Sequence, residues 1–240
     1  MQRHGNSQDR LTSPIVSITG IDGSGKSTVA REAHLGVSKA QDGFAGLEVD
    51  RQIHLINDGN VIPIFDDRYD GIASKIDGSN KLIQTYNRAR YARAKAQLGR
   101  RASDIAERPL DMLVNVRDPV LDSYVFASDR LSALSPNLSL NMLRHVSGAR
   151  WPDTTIWLDV DPEEALSRIK ADAEDRTKYG VQAHENPETL NRMRGSYMQA
   201  MNAMRHVSDG RVVRIDGSQP VENVIADVKN VLSDSLKKPR

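Results

Sequence analysis

Eight consecutive residues, Gly20-Ile21-Asp22-Gly23-Ser24-Gly25-Lys26-Ser27, read G-x-x-x-x-G-K-S, a spacing suited to gripping an oligophosphate. The glycines admit positive φ and close approach of the backbone to an anion. Successive backbone N–H groups then line a concavity, and a helix opening at Lys26 points its positive end into it. In this pattern the lysine reaches the β- and γ-phosphates of a nucleoside triphosphate, and the Ser27 hydroxyl binds Mg²⁺. Gly20 to Ser27, with Thr28 behind them, are the nucleotide-binding residues on this reading. A plain glycine turn is the competing reading, but the context opposes it. Ile15-Val16-Ser17-Ile18 suits a buried strand just before the loop, and residues 26–33 read as a helix start just after it.

A second candidate pair follows another apolar run. Met112 to Val116 reads as a short strand, and Arg117 and Asp118 come just past its C-terminal end, where open α/β sheets bind ligands. Arg117 is suited to gripping an acceptor phosphate through two guanidinium N–H groups, and Asp118 to orienting Mg²⁺ through water. An ordinary exposed ion pair is the alternative. Arg88, Arg90, Arg93, Lys95, Arg100 and Arg101 form a basic run with no acid between Lys81 and Ser103. At about 100° per residue such positions scatter around a helix, so most are solvated. His184 has no partner in sequence, which favours a surface or capping role over metal or acid–base chemistry.

The rest of the chain supplies the elements that hold these groups. Gln52 to Ile56 and Val61 to Phe65 flank Asn57-Asp58-Gly59-Asn60, a β-hairpin pattern with Pro63 forcing an edge position. Helices are expected from about Lys81 to Ala106, Leu121 to Leu134 and Leu138 to Val146. Thr154 to Leu158 is a β-rich run ending at Asp159, with Pro162 in the first turn of the next helix. The polar segment 171–185 lacks steady apolar periodicity and reads as a mobile loop. Asn186-Pro187 restarts a helix as cap and first residue; Arg211 to Ile215 is a last strand, and Val221 to Leu236 a last amphipathic helix. Strands alternating with helices imply an α/β fold with a parallel sheet covered on both faces.

The 240 residues suffice for one sizeable α/β domain, expected at 14–236 behind a flexible tail at 1–13. A net charge of only +1 offers no global attraction to nucleic acid, so no nucleic-acid partner is expected. Zero cysteines exclude disulfides and thiolate metal sites and fit a cytoplasmic protein. No stretch approaches the ~18 apolar residues of a membrane span, and the first thirteen residues lack the apolar core of a signal peptide.

Residues 152–170, PDTTIWLDVDPEEALSRIK, resemble the thymidylate kinase segment P-D-x-T-x-x-L-D-V-x-P-E-x-A-L-x-R-I. Thr19-Gly20-Ile21-Asp22-Gly23 resembles the same family's E-G-x-D-G-x-G-K loop, and Arg214 to Gln219 with Glu222 its closing I-D-x-S-Q strand and helix. The resemblance spans roughly residues 14–236. It implies a P-loop kinase fold with a five-stranded parallel sheet and helices on both faces, to which the hairpin is an insertion. It also implies ATP with Mg²⁺ as phosphoryl donor, a nucleoside monophosphate as acceptor, and a homodimer.

Residue roles carry over only where positions match. Asp22 would meet the acceptor sugar hydroxyl or the waters of the metal; a turn-stabilising Asp is the alternative. Arg88 falls on the family's base-reading arginine in Ile83-Gln84-Thr85-Tyr86-Asn87-Arg88, but Gln84 replaces the aromatic that stacks on thymine. Relatives with no basic residue in the P-loop place a catalytic arginine in the lid; here Ser24 holds that P-loop position, and the lid at 171–185 carries Arg176. The D-R-Y-x-x-S loop is matched by Arg117 to Ser123 with its charges transposed, and the T-P-G-G-T segment is absent. Asp67-Arg68-Tyr69 precedes the substrate helix and reads as structural. The departures cluster around the acceptor base. The expected reaction is phosphoryl transfer from ATP to a nucleoside monophosphate, dTMP first. The alternatives are a kinase of this fold acting on another nucleotide, a nucleoside or a small alcohol, and a P-loop ATPase or nucleotide-sensing protein with no acceptor.

Overall fold

The computed structural model describes residues 13–38, 44–48, 52–55, 61–62, 96–97, 99–100, 102–104, 106–107, 112–173 and 185–237. Its strands are β1 (Ile15–Thr19), β2 (Phe44–Glu48), β3 (Gln52–Leu55), β4 (Val61–Ile62), β5 (Met112–Val116), β6 (Thr154–Asp159) and β7 (Arg211–Asp216). Its helices are α1 (Lys26–Ser38), α2 (Pro119–Leu131), α3 (Pro136–Ser147), α4 (Pro162–Ala173), α5 (Pro187–Val207) and α6 (Val221–Lys237). The described residues between 96 and 106 are also helical, at the end of the helix expected from Lys81; residues 81–95 lie outside the described set.

One sheet carries the strands in the order β4-β3-β2-β5-β1-β6-β7. The five strands β2, β5, β1, β6 and β7 run parallel, as the resemblance implied. The hairpin is present too: β3 and β4 extend the sheet antiparallel, with Ile53 opposite Ile62 and His54 opposite Val61, and β4 forms the edge. The sequence reading had no strand at β2, which lies between the hairpin and β5.

β1, β5 and β6 are buried along their whole length, as expected of parallel strands covered on both faces. Val16, Ile18, Val114, Val116, Ile156 and Leu158 meet Val29, Ala33, Val228 and Leu232 of α1 and α6. Alternate positions point the other way. There Trp157 joins Leu121, Tyr124, Leu140, Tyr197, Met201 and Met204 from α2, α3 and α5. Ser17, Thr19, Asn115 and Thr155 are buried at the intervening strand positions, so that face of the apolar sheet carries polar side chains as well.

Helix starts follow their capping residues. Asn186 accepts from Thr189 N–H at the head of α5, with Pro187 at the first position. Asp118 does the same for α2, accepting from Val120 and Leu121 N–H ahead of Pro119. α2 therefore begins two residues before the expected Leu121 and ends at Leu131 rather than Leu134. Other bounds shift too, and α3 starts two residues before the expected Leu138 and ends one after Val146. Ser13, expected in the tail, is buried and its N–H donates to Ala106 O, while Ala171 to Ala173, expected in the loop, complete α4.

Candidate active site

β1 delivers the chain into the glycine loop, and the loop is pressed against the far end of the sheet. A Cβ on Gly23 would stand 2.3 Å from Ala165 O of α4, at a φ of +77° that side chains resist. At Gly25, φ +81°, a Cβ would meet nothing within 4 Å. The loop's inner side is thus packed on protein, and its outer side is an open cradle of backbone. Lys26 is 4% exposed, and its ammonium donates to Ile21 O at 2.7 Å and to Ser24 Oγ at 3.3 Å. The charge therefore sits inside the loop it serves. Ser27, in the first turn of α1, is half-buried beside it. An open cradle, a buried ammonium and a first-turn hydroxyl fit a polyphosphate with Mg²⁺.

The second half of the site comes from the β5–α2 corner. Arg117 follows β5 and has φ +69°, the one positive value among described non-glycine residues. Its N–H donates to Ile18 O, so the corner is fastened to β1. Its guanidinium NH2 donates to Asp22 Oδ1 at 2.5 Å. A residue held in a left-handed conformation costs on the order of 1–3 kcal/mol and persists where its surroundings fix it, often at functional positions.

Asp118 is turned inward. Its Oδ1 accepts from Val120 and Leu121 N–H at 2.9 and 3.0 Å, and its Oδ2 from Ser17 Oγ at 2.9 Å. Burial pushes its carboxyl above the ordinary value of 3.8, opposed by those three donors and reinforced by the nearby charge of Asp122. One helical turn on, Asp122 Oδ1 accepts from the hydroxyl of Tyr197 on α5 at 2.8 Å. At the end of β6, Asp159 is buried between Arg194 Nε at 2.6 Å and Arg214 Nε at 2.9 Å. Burial raises the Asp159 carboxyl, but the two guanidinium groups outweigh that and hold it below the usual value.

A family model described as thymidylate kinase matches residues 65–228. The chain belongs to the thymidylate kinase family. A protein of Halorubrum lacusprofundi named a probable thymidylate kinase is 28% identical over 237 residues, covering 92% of this chain and 98% of that one. The thymidylate kinase of Bacillus pumilus is 24% identical over 242 residues, covering 95% and 99%. The solved thymidylate kinase of Candida albicans superposes with a TM-score of 0.62 at 12% identity over 94% of both chains. A deoxyadenosine kinase from M. mycoides, solved with dCMP and dCDP, gives 0.55 at 18% identity over 92% of this chain and 99% of that one. The two superpositions show a shared fold.

Within this thymidylate kinase family member, the fold brings Asp22, Lys26, Ser27 and Arg117 to the C-terminal ends of β1 and β5, where open α/β sheets place their ligands. Gln84, Arg88, Arg176, His184 and residues 67–69 lie outside the described residues. Asp118 is beside Arg117, and its carboxylate caps α2 and ties to Ser17 through three protein donors. The sequence reading passed over Asp122, Tyr197 and Arg194. Tyr197 carried no motif, whereas Asp122 lay in the segment Arg117 to Ser123 and Asp159 in the matched segment 152–170 without either being singled out.

Proposed function

We propose that this chain transfers the γ-phosphoryl group of ATP to a nucleoside monophosphate, with dTMP as the first acceptor. The observation that carries the reading is the 2.5 Å contact between Asp22 in the phosphate loop and Arg117 beyond β5. It joins a donor loop to a second anion-binding group, which a nucleotide sensor or plain ATPase has no need of. Phosphoryl transfer asks mainly for two anions held in line and for charge to be neutralised between them. Lys26 meets the donor's β- and γ-phosphates from inside the loop. Arg117 grips the acceptor phosphate by its planar fork. Asp22, beside it, accepts from the acceptor sugar. Mg²⁺, held by the Ser27 hydroxyl and the donor's phosphate oxygens, would supply further positive charge to the transferring group.

Arg88 reads the acceptor base and Arg176 reaches the transferring phosphoryl group on the same reading, both by their match to the family pattern. The family match likewise supports a homodimer, and the cysteine-free composition supports a cytoplasmic setting. Among the described residues no helix is long and apolar enough to cross a membrane.

The test is ADP formation from ATP and Mg²⁺ across a panel of monophosphates, nucleosides and no acceptor. dTMP should support turnover well above the acceptor-free rate. Turnover equal with and without acceptor would replace the kinase reading by an ATPase. Gln84, in place of the stacking aromatic of the family pattern, favours an acceptor preference different from that of dTMP-specific relatives, since an amide hydrogen-bonds a base edge but stacks weakly. A panel led by another monophosphate would move the acceptor and leave the donor chemistry in place.

A further inference from the structure

β1 carries a buried hydroxyl that the reaction as described does not use. Ser17, in the middle of Ile15-Val16-Ser17-Ile18-Thr19, is 0% exposed. A hydroxyl taken out of water costs free energy unless it finds a partner, and an apolar side chain would fill this place in a covered parallel strand without that cost. The partner is Asp118. Ser17 Oγ donates to Asp118 Oδ2 at 2.9 Å, across 101 residues of sequence. Among the described residues it is the one donor to that oxygen, since Oδ1 serves the N–H groups of Val120 and Leu121.

Asp118 directly follows Arg117, the corner residue with φ +69°. Two ties fasten this corner to neighbouring residues of β1. The Arg117 N–H donates to Ile18 O at 2.9 Å, and the Asp118 side chain accepts from Ser17. The first is a backbone bond, available to any residue at 117 except proline. The second exists only because residue 17 bears a hydroxyl. β1 also leads into the phosphate loop, so the strand that anchors the corner carries Asp22, which the Arg117 guanidinium meets at 2.5 Å. A left-handed residue other than glycine persists only where its surroundings over-determine it, and misplacing a binding group by about 1 Å is enough to weaken its action.

We infer that Ser17 is a positioning residue for the acceptor site: by holding Asp118 to β1 it fixes the left-handed corner that directs Arg117 at Asp22 and at the acceptor phosphate. The inference rests on the acceptor role of Arg117 given above. It assigns Ser17 no contact with either substrate. Its effect runs through Arg117, and so falls on the acceptor rather than on ATP.

The experiment is a double-mutant cycle of Ser17→Ala and Arg117→Ala in the full chain, with KM for dTMP and for ATP measured separately. Ala keeps the backbone pairing of β1 and removes only the hydroxyl. Ser17→Ala should raise the dTMP KM about tenfold, with the ATP KM within about twofold of wild type. In the Arg117→Ala background the same substitution should move the dTMP KM by less than about twofold, because the group it acts through is gone. A dTMP KM unmoved by Ser17→Ala while Arg117→Ala raises it, or a rise shared equally by both substrates, would overturn the inference and leave the role of Arg117 standing. So would a rise that persists undiminished in the Arg117→Ala background, since a hydroxyl that serves packing alone acts on both proteins alike. Should Ser17→Ala not fold, Ser17→Cys, close in size and a weak donor, goes through the same cycle against the same outcomes. If Arg117→Ala itself leaves the dTMP KM unchanged, the acceptor reading falls and takes the inference with it.

Discussion

Arg117 and Asp22, 95 residues apart in sequence, are joined by a guanidinium–carboxylate hydrogen bond of 2.5 Å. One residue belongs to the corner after β5, the other to the phosphate loop after β1, and parallel pairing of those two strands sets them side by side. The contact is only partly exposed, with side-chain accessibilities of 18% and 10%, so solvent screens it less than it would a surface pair. It holds a guanidinium beside the phosphate loop.

Removing that cation should act on one substrate. A hydrogen bond to a charged group contributes roughly 1.5–3 kcal/mol, so Arg117→Ala should raise the monophosphate KM by about 10- to 100-fold. The ATP KM should stay near wild type. Initial-rate kinetics with each substrate varied in turn check this; equal effects on both would place Arg117 outside the acceptor site.

Lys26→Ala should leave a folded protein that hardly turns over. Its ammonium is buried inside the loop, where a preorganised charge facing developing phosphate charge is worth roughly 3 kcal/mol or more. kcat should fall by about two orders of magnitude, with the circular dichroism spectrum unchanged. Near-normal turnover would refute the site.

Two glycines separate close packing from mere helix interior. Gly23→Ala puts a Cβ 2.3 Å from Ala165 O at a φ of +77°, and the left-handed backbone alone costs roughly 1–2 kcal/mol. The variant should melt several degrees lower and bind ATP weakly. Gly195 lies within α5 and a Cβ there meets nothing within 4 Å. Gly195→Ala should therefore stabilise the protein by roughly 0.5–1 kcal/mol. Thermal melts of both variants check the contrast.

Legibility in the sequence followed the range of the interactions. The phosphate loop, the strands β1, β5, β6 and β7 and the hairpin all announce themselves within a dozen residues, through glycine spacing, apolar runs and turn chemistry. β2 did not. Its sequence, Phe44-Ala45-Gly46-Leu47-Glu48, has no β-branched residue and a central glycine, and pairing with β5 rather than propensity makes it a strand. Asp118-Pro119 carries the same cap signature as Asn186-Pro187, and the cap it forms on α2 was not read from it. Asp122–Tyr197 and Asp159–Arg194 join residues 75 and 35 apart. No local pattern announces such pairs, because each exists only once helix and sheet have packed.

The Asp159 cluster gives stability a pH dependence of definite sign. Arg194 and Arg214 hold the folded-state carboxyl below its usual 3.8 despite burial. The deprotonated form is thus favoured by folding, and its contribution is complete above about pH 3.8 and lost as pH falls through the lower folded value. Asp159→Asn should melt below wild type at pH 7, with the gap closing as pH drops from about 4 toward 2. Asp118, raised by burial, works the other way: its charge costs stability as pH rises above 3.8 through its folded value. Melting curves across pH 2–7 check the Asp159 effect, and a gap constant throughout would contradict it.

The central claim is a phosphoryl group leaving ATP for a nucleoside monophosphate. Phosphorus NMR of the purified full chain with ATP, MgCl₂ and dTMP observes that transfer directly. The account predicts α- and β-phosphorus signals of dTDP growing in step with ADP, one for one, and their near-disappearance with Lys26→Ala. Inorganic phosphate accumulating in step with ADP while the dTMP signal stays constant would contradict it.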